Sequence, residues 1–357
     1  MNKMRFILNN FKTKVQENRI LRPQKSNQMN VRKYIFASVF ALVALYGCNN
    51  DDDNGTGITI IPPRDRAEQQ VTDDALLQDY LNTHFFTFED VSVNGDDIPE
   101  YRIVKFDTIA GDNSGEQSIM GTGMVTTKKV EREDVEYNLY ILKLREGAGE
   151  YASKNSDSTL VTYRGETLYP SSTNEEELFD NVVNPVWFDL LRNIVGFREG
   201  LEGLRAASGF TENGDGTVTY NDDFGEAIIF IPSGLAYFEG TQNGAFPPYS
   251  NLIFNVQVYD VNQADHDLDG IPTYFEDLNG DSIVADLTND NTDEDSLSNY
   301  IDADDDNDGT LTRDEITVND LNNDGVIDPM TEITFYDDDG DGIQNHLDPD
   351  DREPKNE

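Results

Sequence analysis

Asp304, Asp306 and Asp308 stand at alternate positions in ADDDNDGTLTRDE (303–315), Gly309 follows, and Glu315 falls at position twelve counted from Asp304. Carboxylates at every second residue of a chain that turns at a glycine can converge on one cation. Calcium takes about 6–8 oxygens at about 2.3–2.6 Å, and the backbone carbonyl at position seven can add one. The frame recurs, with Asp or Asn at positions one, three and five. The six sets are Asp265, Asp267, Asp269; Asp277, Asn279, Asp281; Asn291, Asp293, Asp295; Asp304, Asp306, Asp308; Asp320, Asn322, Asp324; and Asp337, Asp339, Asp341. Position six is Gly270, Ser282, Ser296, Gly309, Gly325 and Gly342, and position seven is apolar in all but the fourth set. Position twelve is acidic at Glu276, Asp302, Glu315 and Asp348.

This spacing is that of an EF-hand loop, which needs a helix on each side. The frames start only 12 to 17 residues apart, which leaves no room for paired helices around most of them. The array is similar instead to thrombospondin type 3 repeats without their cysteines. That resemblance implies structural calcium sites rather than a sensor. Without metal, such a charge block is a solvated, disordered tail.

The region before the array carries no reacting constellation. The histidines are His84, His266 and His346, all outside residues 136–261, and no glycine-rich phosphate loop or GxSxG occurs. Aromatic residues stand out there, most at strand-like spacing, and core packing accounts for many. In order, VTYRG (161–165), LFDN (178–181), NPVWFDL (184–190), IVGFREGLEGL (194–204), IFIPSGLAYFEG (229–240) and FPPYSNLIFNVQV (246–258) resemble an FKBP-type peptidyl-prolyl cis-trans isomerase. The resemblance covers about 125 residues. It implies an α+β fold, an antiparallel sheet wrapped on one short helix, with turnover of X–Pro bonds in proline-containing polypeptides and no cofactor for catalysis.

Carried over by position, the resemblance makes Phe197 the platform under the proline ring and Tyr163, Phe179 and Phe254 the walls. Ile194 would present its N–H to a substrate carbonyl, Tyr237 would bond through its hydroxyl, Phe246 would close the rim, and Asp180 would meet the twisting carbonyl. This chain departs from the family at Phe197, where Trp is most common. Val186 replaces an aromatic for which the adjacent Trp187 would substitute, and Phe238 stands where glycine is usual. A peptide-binding module with weak catalysis, or a calcium-dependent adhesive lipoprotein, are the rival readings.

The elements that would place these residues follow from pattern. DDALLQDYLNTHF (73–85) has helical spacing, with Thr72 or Asp73 as cap. YRIVKF, GMVTTKKV and YNLYILKL alternate as strands, either as a subdomain or as the first strands of the next domain. EAIIFIP and NLIFNVQVYDV are strands, GFREGLEGLRAA is the helix, and FTENGDGTVTYNDDF (210–224) is a hairpin turning on Gly214, Asp215 and Gly216. One helix among antiparallel strands reads as α+β.

Composition bounds the partners. A net charge of -44 argues against nucleic acid and anionic lipid. From residue 265 onward only Arg313, Arg352 and Lys355 oppose the acids. From Met29, MNVRKYIFASVFALVALYGC has basic residues, an apolar run and a small residue before the chain's one cysteine, the order of a secretory signal. LYGC resembles a lipobox with Cys48 acylated, and Asp51, Asp52 and Asp53 resemble the export signal of surface lipoproteins of the outer membrane. The expected organisation is a signal over 1–47 with Met29 as initiator, a tether over 48–72, and a helix and β-rich extension over 73–135. The isomerase-like domain then occupies 136–261 and the calcium repeats 262–357.

Overall fold

The computed structural model describes residues 62–91, 101–170, 177–352 and 354. The signal, Cys48, the acidic triplet and most of the expected tether lie outside these residues. Among those described, no helix is long and apolar enough to cross a membrane.

Helix α1 spans Arg66–Thr83, so it begins inside the stretch read as tether. The cap is Asp65, whose side chain accepts the Glu68 N–H, and not Thr72 or Asp73. Asp73 lies within the helix and is fully buried. The hairpin β1 (His84–Val91) and β2 (Tyr101–Thr108) forms a sheet of its own. Strands β3 (Val125–Arg132) and β4 (Val135–Arg145) join the main sheet, whereas YRIVKF, in β2, pairs only with β1. Their turn is Glu133-Asp134, both at positive φ, the backbone that matches the twist of a two-residue hairpin.

The sheet is completed by β5 (Ser158–Thr167), β6 (Leu178–Asp189), β9 (Gly225–Ile231) and β10 (Leu252–Asn262). Its order is β3-β4-β9-β10-β5-β6, antiparallel throughout. At the β6 edge the pairing slips between Val161 and Tyr163, so Val183, Asn184 and Pro185 bulge out of the ladder. Between β6 and β9 lie α2 (Val195–Leu201) and the inserted hairpin β7 (Phe210–Glu212) and β8 (Val218–Tyr220), whose turn holds Gly214-Asp215-Gly216 as expected. The α+β architecture is thus a sheet wrapped on α2.

Both faces of this sheet are covered, which explains the unbroken apolar run of β9. Ala227, Ile229 and Ile231 share a core with Phe197 and Leu201 of α2. Ile228 and Phe230 share another with Leu77, Tyr80 and Leu81 of α1 and Val104 of β2. Each of the three α1 side chains contributes about 1.5–3 kcal/mol by leaving water.

After β10 the chain enters the acidic array. It holds α3 (Thr312–Glu315), β11 (Ile316–Val318) and β12 (Ile333–Phe335), around a small core of Ile271, Ile316 and Ile333. No helix pair flanks any loop among the described residues. The junction is fixed: the Ala264 N–H donates to Asp157 Oδ1 at 3.1 Å, and Gln263 trades hydrogen bonds with the Ile327 backbone at 2.9 and 2.8 Å.

Asp157 is fully buried, and burial pushes its pKa up to about 6 against the backbone donors Lys154 and Ala264. A carboxyl whose folded pKa is raised stabilises fully below its unfolded value. That contribution is lost as pH climbs from about 4 through about 6, here up to roughly 3 kcal/mol. Urea midpoints of Asp157→Asn measured across this window are expected to lose that slope. An unchanged slope would show that Asp157 is not its source.

Candidate functional site

Six of the eight residues singled out line one cavity of about 370 Å³. Its lining includes Tyr163 from β5, Asp180 and Phe188 from β6, Phe197 from α2 and Phe254 from β10. Ile194, the residue before α2, and Tyr237, from the loop after β9, complete the expected members. Phe197 meets Phe254, Phe188 and Tyr163 edge-on at centroid distances of 5.3, 6.0 and 6.1 Å. Such edge contacts between rings are worth about 0.5–1.5 kcal/mol each beyond burial, which makes the wall stiff.

Two expected members stand behind the wall. Phe179 packs on Phe246 at 4.9 Å and on Phe254 at 5.6 Å. Phe246, expected at the rim, is only 3 % exposed and backs Tyr237 as well. Trp187 does not substitute for the aromatic missing at Val186. It is 51 % exposed, and strand alternation instead turns its neighbour Phe188 into the cavity. Gly165 permits the packing: a Cβ there would lie 2.8 Å from Phe179 and 3.0 Å from Phe254.

Polar groups face the rings. The Tyr163 hydroxyl donates to Asp180 Oδ2 at 2.6 Å. Burial and then the Asp180 hydrogen bond raise the Tyr163 pKa, and burial and then the Asp180 charge raise that of Tyr237. Both phenols therefore keep their protons and remain donors. Arg192, Asn193 and Gln242 also line the cavity. No periodic signal marks them, because they lie on irregular backbone. Asp189 organises two of them: it pairs with Arg192 at 3.0 Å, and its carbonyl accepts from Asn193 Nδ2 at 2.8 Å.

The Tyr237 loop is latched from the opposite face of the sheet. Asp73 Oδ2 accepts the Ser233 N–H at 3.0 Å and its hydroxyl at 2.6 Å. Phe238 has φ +50°, in the left-handed region that favours glycine. In this chain its ring packs on Tyr249 at 5.0 Å and under the Arg66 guanidinium at 4.1 Å, contacts that offset a strain of about 1–2 kcal/mol.

Comparisons with known proteins bear on separate parts of the chain. Residues 266–320 match the family model described as BamM C-terminal. No curated protein matches. FkpA from Escherichia coli is 29% identical over 35% of this chain and 48% of its own, with a TM-score of 0.27. The chain therefore spans about half of that FkpA chain. A peptidyl-prolyl cis-trans isomerase from Pseudomonas syringae pv. tomato is 19% identical over 38% of this chain and 81% of its own, with a TM-score of 0.27. The N-terminal domain of FKBP42 from Arabidopsis thaliana is also 19% identical, over 39% and 99%, with a TM-score of 0.27.

In the array, the frames fold alike. Position one accepts the backbone N–H groups three and five residues on in four of them, as Asp265 does from Leu268 and Gly270, and Asp277, Asp320 and Asp337 repeat it. Position five accepts the N–H two residues on in all six, from Asp269, Asp281, Asp295, Asp308, Asp324 and Asp341. Position four has positive φ throughout, at Leu268, Gly280, Glu294, Asn307, Asn323 and Gly340. The carboxylates thus curl round an axis set by backbone turns.

Convergent groups form at Asp267, Asp269, Glu276 and Asp305; at Asp277, Asp281 and Asp290; at Asp293, Asp295 and Asp302; at Asp304, Asp306 and Asp308; and at Asp337, Asp339 and Asp341. Asp290 and Asp305 were missed by the frames because they come from neighbouring loops. Asn279 and Asn322 cap the N–H groups of Asp281 and Asp324. Asn291 bonds to the Asp295 carbonyl, and Asp348 accepts from Asp350. Both oxygens of Glu276 and of Glu315 are buried without a partner, as is one each on Asp267, Asp269, Asp290 and Asp305. Burial and then neighbouring carboxylates raise Asp267 to about 8 and Glu315 to about 8. Such oxygen-only, mutually repelling sets fit a hard divalent cation, which would supply the missing partner.

Proposed function

We propose that this chain is a peptidyl-prolyl cis-trans isomerase of the FKBP type, acting on X–Pro bonds of exported proteins. In this reading it is anchored in the outer membrane through a lipid on Cys48, facing the cell surface, and the repeats form a calcium-stabilised arm. The observation that carries the reading is the aromatic cavity with Asp180 as its one carboxylate. Rotation about X–Pro breaks amide resonance over a barrier of about 18–20 kcal/mol, without breaking a bond. The task needs neither nucleophile nor acid–base pair. Phe197 and Phe254 seat the proline ring, the surrounding rings exclude water, and the twisted amide, less polar than the planar one, is held better. Tyr237 offers a proton donor to a carbonyl, and the Tyr163–Asp180 bond fixes the carboxylate beside the turning group.

Calcium is the cation assigned to the loops. The carboxylates of the five convergent groups would hold it, with Glu315 beside the fourth, and the metal would supply folding energy.

A protease-free prolyl isomerisation assay tests the site. Asp180→Ala and Phe197→Leu, which keeps most of the volume, are each expected to lower kcat/KM by about 10–100-fold with circular dichroism unchanged. Wild-type levels in both variants would remove this cavity from the chemistry. Peptide holding without turnover is the second reading, favoured by the 2.6 Å bond that already engages Asp180. It is recognised by peptide binding in a protein that accelerates nothing.

A further inference from the structure

The second acidic loop rests on the helix that carries Phe197. Within that loop Asp277 Oδ2 accepts the Ser282 N–H at 2.7 Å, and Ser282 has φ +70°. The other side of the same residue faces the sheet domain: its carbonyl accepts from Arg198 Nη2 at 3.2 Å and from Asn155 Nδ2 at 3.3 Å. Arg198 follows Phe197 directly on α2, and its guanidinium also lies 3.3 Å from the buried Glu199, which Lys128 holds at 2.6 Å. Alongside, a cleft of about 310 Å³ separates Ser282 and Ile283 from β3. The loop thus reaches α2 chiefly through one carbonyl, whose orientation is set by a carboxylate of the acidic cluster.

Asp277, Asp281 and Asp290 bring carboxylate oxygens within 4.8 Å of one another. Asp290 is fully buried; its Oδ1 accepts the Leu278 N–H at 2.8 Å, and its Oδ2 has no partner. Three anions so placed repel unless a cation lies between them.

We infer that a divalent cation held by Asp277, Asp281 and Asp290 makes this loop a strap on α2, fixing Ser282 against Arg198 and so holding the floor of the aromatic cavity. The inference rests on the reading of the loops as cation sites. With the ion bound, Asp277 keeps its grip on the Ser282 N–H. Without it, the carboxylates separate, the Ser282 carbonyl turns away and α2 loses an outer support.

Hydrogen–deuterium exchange on the full chain reads this without any need for turnover. Adding calcium is expected to slow exchange of amides 195–201 by about tenfold in wild type. It should do the same in Asp341→Asn, which alters only the last loop. Asp281→Asn should lose the effect. Arg198→Ala, which leaves every carboxylate in place, should take up calcium in calorimetry as wild type does and yet show no protection of α2. Calcium uptake by wild type with unchanged exchange at 195–201 would overturn the inference, as would protection that survives Arg198→Ala. Absence of calcium uptake by wild type would overturn it together with the cation reading, and calorimetry tells the two failures apart. A protein that passes these tests but turns over no proline substrate would leave the strap standing and remove only the isomerase reading.

Discussion

Chelating divalent cations is expected to unfold residues 265–351 while leaving the six-stranded sheet in place. The apolar core of the array is Ile271, Ile316 and Ile333, with Phe275, Ile327 and Phe335 partly buried against it. At about 1.5–3 kcal/mol for a fully buried side chain, the three isoleucines contribute at most roughly 10 kcal/mol, before conformational entropy is charged against them. Each of the five carboxylate groups holds at least three oxygens within 4.8 Å of one another. One such pair of charges costs roughly 3–4 kcal/mol at an effective dielectric of about 20. Protonation of groups such as Asp267 and Glu315 relieves part of this repulsion, and metal is needed to relieve the rest. Limited proteolysis with mass spectrometry should show cuts confined to the array in EDTA and none in calcium. An array that stays resistant in EDTA at neutral pH would defeat the cation assignment.

The second large effect is expected from the glycines of α2. Gly196 and Gly200 lie one turn apart and face β9. A Cβ on Gly196 would fall 2.2 Å from Ile231 Cγ2, and one on Gly200 would fall 2.6 Å from Ile229 Cδ1. Both isoleucines are fully buried in the core between β9 and α2, so neither can step aside freely. Alanine improves helix propensity by about 1 kcal/mol, whereas overpacking a closed core costs about 1–3 kcal/mol per site. Gly196→Ala with Gly200→Ala is therefore expected to lower stability, by up to roughly 4 kcal/mol in urea unfolding. The helix must also rise from the sheet, carrying Phe197 and Ile194 with it, so affinity for a proline peptide should fall in the molecules that remain folded. A double variant as stable as wild type would show that helix height is set elsewhere.

What is repetitive or local in this fold is legible in its sequence. The α2 segment, the runs EAIIFIP and NLIFNVQVYDV and the Gly214–Gly216 turn announce themselves through periodicity and turn chemistry, and they form α2, β9, β10 and the β7–β8 hairpin. Six of the eight residues singled out for the cavity line it. The two that do not, Phe179 and Phe246, pack directly on lining rings, a distinction no spacing encodes. Phe188 is placed by alternation on β6, a signal that was present but overshadowed by Trp187. The start of α1 escaped because RAEQQVTDD is polar, and its apolar contacts begin only near Leu77. Asp65 was legible as a cap only in hindsight of that helix. In the array, spacing found the ligands supplied within a loop but not Asp290 or Asp305, which arrive by tertiary folding.

The outer strands of the main sheet have one more consequence. At one edge β6 breaks its ladder at Val183–Pro185, and Pro185 has no N–H to offer an incoming strand. At the other edge β3 carries Lys128 and Lys129, the latter well exposed. A neighbouring copy therefore finds no continuous, uncharged row of donors and acceptors to extend, and intermolecular β-pairing is blocked on both sides. Molecules gathered at high local density would keep their six-stranded sheets separate.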